Sequence, residues 1–78
     1  MQQLIPLKMM SQGQTGKVDQ LMGRVDDVHR LEELGLRRGT RVEMVQAGTP
    51  CIIRLSGHKL CFRDNDLFNV LVDVEEAT

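Results

Sequence analysis

The feature that most constrains the fold is a ten-residue stretch, Arg30–Gly39, that reads as the end of a helix followed by a tight turn. Leu31 and Leu34 are three residues apart, so they share one helix face. Gly35 stands where the chain must turn left-handed, a backbone conformation that glycine adopts at low cost. Leu36 then occupies the position at which a Schellman cap returns an apolar side chain to Leu31. The stretch therefore predicts a short helix that leads into a sheet.

The residues on either side of this stretch extend the prediction. Arg37-Arg38-Gly39 predicts a tight turn with glycine at its last position, and the alternating residues 41–46 predict the strand that follows. Asp26 is the expected N-cap, because its carboxylate can accept hydrogen bonds from free helix amides. A helix of about eight residues is unstable alone in water, so it must pack against the sheet. Its apolar stripe is expected to consist of Val28, Leu31 and Leu34.

The strand expected at residues 15–22 carries a signal of irregular geometry. Val18 and Leu21 are out of phase in a regular strand, because successive side chains point to opposite faces. A one-residue bulge near Asp19-Gln20 would return both side chains to the inner face. Bulged strands are typical of small curled sheets, so this signal favours a barrel.

The N-terminal segment is expected to be a short strand or turn, because Pro6 prevents a helix interior there. That geometry would lay Leu4 and Leu7 on the core. Met9 and Met10 follow, and we expect them to be partly exposed, where flexible thioether side chains suit adaptable binding. Two core methionines that fill gaps are an equally open interpretation.

A second turn fixes the arrangement of the two cysteines. Ser56-Gly57 predicts a two-residue β-hairpin turn. In the register of that hairpin, Cys51 opposes Phe62 and Ile52 opposes Cys61. The two thiols then point to opposite faces and form neither a disulfide nor a shared metal site. A three-residue turn would reverse this conclusion.

These segments together predict one mainly β domain over residues 1–78. Its core is expected over about residues 3–74, followed by a frayed tail at 75–78. About five short strands separated by glycine-containing turns favour a small SH3-like barrel with one inserted short α-helix. The remaining strands are expected at residues 51–55, 59–63 and 69–74.

Charge and hydropathy exclude several classes of function. Ten basic and eleven acidic residues give a net charge of -1, so no electrostatic attraction to nucleic acid or anionic lipid is expected. No apolar run is long enough to span a membrane, and the N-terminus lacks the pattern of a secretion signal. A cytoplasmic protein without direct membrane insertion is therefore predicted.

Catalytic and metal-binding signals are weak. No set of residues assembles a nucleophile with a base and an orienting group, so an enzyme is not predicted. His58 and Cys61 are the only soft ligands close in sequence, and the two cysteines match no zinc spacing. The acidic cluster at residues 64–66 lacks the glycine and terminal glutamate of a calcium loop. No cofactor is expected to be required, and a bound transition metal ion is the alternative.

The order and spacing of these elements resemble the FeoA family, small cytoplasmic proteins of bacterial ferrous iron uptake. The most specific piece is Arg-Leu-x-x-Leu-Gly-Leu-x-x-Gly at residues 30–39. The resemblance covers about residues 3–74. The matching residues are Leu4, Leu7, Gly13, Gly16, Val18, Arg30, Leu31, Leu34, Gly35, Leu36, Gly39, Val42, Pro50, Ile53, Gly57, Leu60, Phe62, Arg63, Val70 and Val72.

The resemblance implies an SH3-like barrel and partnership with FeoB, a membrane iron permease with a cytoplasmic G-protein domain. A related barrel forms the C-terminal domain of iron-dependent repressors, but this chain lacks their DNA-binding and dimerisation segments. We expect a non-catalytic adaptor whose partner contacts are Leu36, Arg37, Arg38, Met9 and Met10. Leu36 is also expected to be buried as a cap residue. The alternative is a metal-responsive regulatory module carried by His58, Cys61, Cys51 or His29.

Overall fold

The computed structural model of the protein describes residues 3–63 and 66–75, without the side chain of Asp66. The predicted polar turn at residues 64–66 and the predicted tail at 75–78 lie largely outside the described residues. Within these described residues, six strands and one α-helix follow in chain order, with two short 3-10 segments at Leu7–Met9 and Asp66–Asn69. They are β1 (Leu4–Pro6), β2 (Thr15–Leu21), α1 (Val25–Glu33), β3 (Arg41–Gln46), β4 (Cys51–Leu55), β5 (His58–Phe62) and β6 (Val70–Val74).

The strands form one antiparallel sheet in the order β1-β6-β2-β3-β4-β5. The predicted count of about five strands is one short, because the N-terminal segment pairs as a full strand, from Leu4 with Asp73 to Pro6 with Leu71. Within the described residues β1 and β5 are the two ends of the sheet, and no ladder joins them. The mainly β class with one inserted helix is confirmed, whereas full closure of the barrel is not seen.

The predicted bulge lies in β2, at Asp19. The pairing of β2 with β6 shifts register between Val18 and Gln20. Val18 is buried and Leu21 packs on the core from the sheet margin, as the out-of-phase pattern required. A second shift between Met44 and Gln46, where β3 pairs with β4, was not predicted from the sequence.

The hairpin between β4 and β5 has the predicted two-residue turn. Ser56 and Gly57 both have positive φ, at 49° and 79°, which is the type I′ geometry that matches the twist of the flanking strands. The register places Cys51 opposite Phe62 and Ile52 opposite Cys61. The opposite orientation of the two thiols is therefore confirmed, with Cys51 buried and Cys61 exposed.

The helix begins earlier than predicted but ends as predicted. Arg24 is the N-cap and makes no side-chain capping bond, so the assignment of Asp26 was wrong; Asp26 lies instead in the first turn, where its charge favours the helix dipole. At the other end, the Leu36 N–H donates to the Leu31 carbonyl at 3.0 Å, and the Gly35 N–H donates to Glu32 at 3.0 Å. This bond pair is the Schellman motif.

The core lies between the inner face of the curled sheet, the helix and the two 3-10 segments. Two sequence predictions about it were wrong, because Leu4 and Leu34 are 45% and 44% exposed. The alternative of a core methionine that fills a gap is confirmed for Met10, which is 2% exposed. Leu34 is the helix C-cap, and Leu36 fills the core position after the reversal. The buried hydrophobic residues are Leu7, Met10, Val18, Leu31, Leu36, Val42, Met44, Cys51, Ile53, Leu55, Phe62, Leu67, Val70, Val72 and Val74.

None of the helices in the described part of the chain has the length and apolar character needed to cross a membrane.

Candidate docking surface at the helix exit

The turn after the helix is tied to the bulged strand by backbone hydrogen bonds. The Gly39 N–H donates to the Val18 carbonyl at 2.7 Å, and the Val18 N–H donates to Thr40 at 2.9 Å. The turn itself closes between the Arg37 carbonyl and the Thr40 N–H at 2.9 Å. Gly39 is therefore the third residue of the turn, whereas the sequence predicted that it is the last. Its φ of 90° fits the third position, where a turn can require a positive φ. These bonds hold Arg37 and Arg38 beside β2.

Arg37 and Arg38 have different surroundings, although both are exposed. The Arg37 Nε–H donates to the Glu32 carbonyl at 3.2 Å, which satisfies a carbonyl at the helix end. Arg38 lines an open groove of about 310 Å³ between β2 and the helix. Arg37 therefore stabilises the corner, whereas Arg38 is available to a ligand or partner in the groove.

The groove combines charged walls with a partly apolar base, and we call it the helix-exit groove. Asp19 and Glu32 contribute carboxylates and Arg38 a guanidinium, while Leu21 and Val28 are half-buried apolar side chains. Apolar anchors surrounded by an arginine and other polar groups are typical of protein interfaces. The groove is lined by Asp19, Gln20, Leu21, Val28, Glu32 and Arg38.

The structure brings together only part of the predicted contact set. Leu36 is fully buried and Met10 nearly so, so neither offers its side chain to a partner; the burial of Leu36 as a cap residue is confirmed. Met9 is 61% exposed, but it lies on the first 3-10 segment, which packs against the second one. The predicted set therefore divides into exposed residues, which are Met9, Arg37 and Arg38, and core residues, which are Leu36 and Met10.

Sequence reasoning missed the groove residues from other elements. Asp19 and Gln20 belong to the bulge, which redirects side chains at that point of β2. Glu32 does not belong to the predicted apolar stripe of the helix, yet it is half-buried in the groove wall. The bulge itself was the signal available in the sequence, because bulges often re-aim side chains near functional surfaces.

The predicted metal ligands are separated. His58 and Cys61 both belong to β5, and an odd spacing in a strand places side chains on opposite faces. His29 lies on the exposed side of the helix. Within residues 3–63 and 66–75, no three His, Cys, Asp or Glu side chains come together to hold a metal ion.

Cys51 is also a poor metal ligand in this fold. Its Sγ lies 3.6 Å from Met44 Sδ inside the core. Burial raises the pKa of the Cys51 thiol, and the charge of Lys8 offsets this only in part. The thiolate that a metal ion requires is therefore disfavoured. The residues proposed as metal ligands from the sequence do not fit a shared site.

Apart from the Cys51 thiol, the described interior holds no buried acid or base. Among residues 3–63 and 66–75, every buried residue other than glycine is hydrophobic. No buried side-chain nitrogen or oxygen atom of these residues lacks a hydrogen-bond partner. Enzymes tune catalytic groups by burying them beside specific charges. The described part of the chain shows no such arrangement.

Comparison with known proteins identifies the family. The FeoA domain model matches residues 5–74. The chain belongs to the FeoA domain family. This match confirms the resemblance carried by the helix-exit sequence, and it spans nearly all the described residues. No curated protein sequence matches the chain.

Solved structures show the same fold. A crystal structure of an iron uptake regulatory protein, FeoA, has a TM-score of 0.88 at 23% identity and covers 94% of this chain and 100% of that one. The zinc complex of FeoA from Stenotrophomonas maltophilia, described as a prokaryotic SH3 domain protein and a candidate activating factor of ferrous iron transport, has a TM-score of 0.71 at 24% identity over 94% and 89% of the two chains. These likenesses confirm the SH3-like class.

The fold also occurs within a longer protein. IdeR of T. acidophilum matches with a TM-score of 0.83 at 14% identity, covering 92% of this chain but 34% of that chain. The FeoA-like fold is thus one part of that protein.

Proposed function

We propose that this protein is a non-catalytic accessory factor of bacterial ferrous iron uptake that docks on the cytoplasmic part of a FeoB-like permease. The observation that carries the proposal is the FeoA domain match over residues 5–74. A fold with a hydrophobic described interior and an exposed mixed-polarity groove suits an adaptor better than a catalyst. The protein acts at the cytoplasmic face of the membrane and reaches it through its partner.

The docking surface in this proposal is the helix-exit groove with its arginine corner. Arg38 supplies charge-assisted hydrogen bonds from one wall, and Arg37 stands beside it. The half-buried Leu21 and Val28 provide apolar contact. Leu36 and Met10 are buried in the core, so they are not contact residues in this proposal. Met9 offers a second, apolar contact on a separate element.

Affinity capture from detergent-solubilised membranes tests this proposal. Tagged protein is expected to retain a large permease with a G-protein domain, and a GTP analogue added to one sample shows which nucleotide state is recognised. The double variant Arg37→Glu, Arg38→Glu is expected to reduce the captured amount by about tenfold, since charge reversal opposes the electrostatic complementarity of an interface.

The matched control is Arg24→Glu, which reverses an exposed charge at the opposite end of the same helix. It is expected to capture as much permease as the unaltered protein. Failure of the folded, unaltered protein to capture the permease with or without the nucleotide analogue would contradict the adaptor proposal. Equal capture by the double variant would contradict the assignment of the surface.

A further inference from the structure

The strand β5 has one backbone edge that is unpaired within the described residues. It is the last strand in the sheet order, and its ladder partner is β4. In a hairpin with a two-residue turn, the two residues that flank the turn, here Leu55 and His58, form two backbone hydrogen bonds with each other. Further along the strands, pairs without hydrogen bonds alternate with hydrogen-bonded pairs. His58, Leu60 and Phe62 therefore bond to β4. The backbone N–H and C=O groups of Lys59 and Cys61 point outward, in the spacing that an added strand requires.

The hairpin that carries this edge is basic. Residues 51–63 contain Arg54, Lys59 and Arg63 but no Asp or Glu, although the whole chain has more acidic than basic residues. Arg54 is paired with Glu43 at 3.1 Å. Within the described residues Lys59 and Arg63 form no ion pair, and both are exposed.

A charge and the free backbone groups coincide along β5. Lys59 and Cys61 are two residues apart in this strand, so their side chains share one face of the hairpin, and Arg63 follows directly after the strand ends at Phe62. Lys59 also lies directly opposite Arg54 in the ladder, and like charges at such positions repel each other. An added strand would lie on the side of β5 away from β4, so a carboxylate on it would lie beside Lys59 and offset its charge.

These charges indicate which occupant fits the edge. A second copy pairing through its own β5 would bring Lys59 and Arg63 close to the same cations, and lysine on a short edge strand is a common protection against that association. An added strand that carries carboxylates would instead complement the edge. The occupant favoured here is an acidic segment of another protein.

We propose that the free edge of β5 binds an extended acidic peptide segment as an additional antiparallel strand. The backbone groups of Lys59 and Cys61 form the main-chain hydrogen bonds, and Lys59 and Arg63 bind the carboxylates of the incoming strand. Recognition by strand addition draws affinity from the main chain and specificity from alternate side chains. This site lies on a different element from the helix-exit groove and does not depend on the proposed permease contact.

The test uses a fluorescent peptide of alternating valine and glutamate as the probe. Saturable binding is expected, together with shifts of the Lys59 and Cys61 amide NMR signals and slower hydrogen exchange at both. A peptide of alternating valine and lysine is expected not to bind. The variant Lys59→Glu, Arg63→Glu is expected to weaken binding of the acidic peptide by about tenfold or more.

A second variant separates strand addition from simple charge attraction. Cys61→Pro removes one outward N–H while leaving the bonds from β5 to β4, and proline is tolerated at such edge positions. It is expected to reduce binding strongly, whereas Cys61→Ser is expected to bind like the unaltered protein. An acidic peptide with N-methylated backbone tests the same bonds without any change in the protein.

Three results would overturn the proposal. The first is no binding of the acidic peptide. The second is binding of the acidic peptide that survives both Cys61→Pro and N-methylation of the peptide. The third is binding to phosphatidylglycerol vesicles that is as strong as binding to the acidic peptide. The second and third results would each indicate attraction to a charged surface without strand addition. Arg37→Glu, Arg38→Glu is expected to leave peptide binding unchanged, so failure at this edge is distinguishable from failure of the permease contact.

Discussion

The helix exit and the β4–β5 hairpin both reverse the chain at a glycine with positive φ, but different forces hold the two reversals. A Cβ atom added at Gly35 would lie 2.8 Å from Leu55 Cδ1, whereas at Gly57 it would meet no atom within 4 Å. Leu36, next to Gly35, is fully buried, while Ser56 and Gly57 are exposed at the hairpin tip. The helix exit is therefore fixed by tertiary packing, and the hairpin tip by local turn chemistry.

The largest expected effect tests the packing at the helix exit. Leu36→Ala is expected to lower the free energy of unfolding by about 2–5 kcal/mol, because it removes buried methyl groups and leaves a cavity. Leu36→Asp is expected to prevent folding, since it buries a charge. Leu34→Ala is the matched control, because Leu34 is 44% exposed, and it is expected to cost less than about 1 kcal/mol.

Urea denaturation of the three variants measures these differences. If Leu36→Ala and Leu34→Ala lowered the free energy of unfolding equally, this would contradict the conclusion that Leu36 is a buried cap residue and Leu34 an exposed helix end. A folded Leu36→Asp variant that loses only permease binding would show that Leu36 is a contact residue.

Alanine at the two glycines sharpens the comparison further. Gly57→Ala is expected to cost about 1 kcal/mol, because alanine must adopt a left-handed backbone conformation. Gly35→Ala is expected to cost about 2 kcal/mol or more, because the new methyl group also presses on the buried Leu55. Thermal or denaturant unfolding measures both values. A larger loss at Gly57 would contradict the view that packing adds to the requirement at Gly35.

The smallest expected effect comes from an ion pair outside both reversals. Arg41 binds Glu75 with two hydrogen bonds, at 2.9 and 2.7 Å. The hydrogen bond from Arg41 holds the pKa of the Glu75 carboxyl below its ordinary value. The ion pair therefore contributes to stability at pH values above the pKa of a glutamate in the unfolded chain, about 4.3. This contribution is lost as the pH falls through the lower pKa that Glu75 has in the folded protein.

The melting temperature of Glu75→Gln, compared with that of the unaltered protein between neutral and acid pH, tests this pair. The variant is expected to melt slightly lower at neutral pH, and the difference is expected to vanish in acid. Both side chains are accessible to solvent, so the effect is small and decreases with added salt. A difference that grows in acid would contradict the sign of the pKa shift.

Structural features that depend on neighbouring residues could be predicted from the sequence. Gly35 and Leu36 predicted the Schellman cap, the Ser56-Gly57 turn predicted the cysteine register, and the phase of Val18 and Leu21 predicted the bulge. Each is set by backbone conformation or side-chain alternation over a few residues.

Features that depend on distant contacts were missed. The helix starts after Arg24, because the preceding Met22 N–H is bonded to Asn69 across the sheet and Gly23 then turns the chain. Met9 and Met10 differ in burial where the 3-10 segment ends: Met9 is its last residue and is exposed, and Met10 follows in an extended conformation and is buried. The groove joins the bulge of β2 to the helix, a contact that short-range patterns do not specify.

The most direct test of the proposed permease contact is an NMR titration of the labelled protein with the purified cytoplasmic G-protein domain of a FeoB-like permease. Saturable shifts are expected for the amide NMR signals of residues 19–21 and 37–40, whereas the amide signals of β5 are expected to stay unchanged. The Arg37→Glu, Arg38→Glu variant is expected to lose these shifts. Saturable shifts confined to other elements would contradict the docking surface, and no shifts at concentrations at which the permease itself is captured would contradict docking on the G-protein domain.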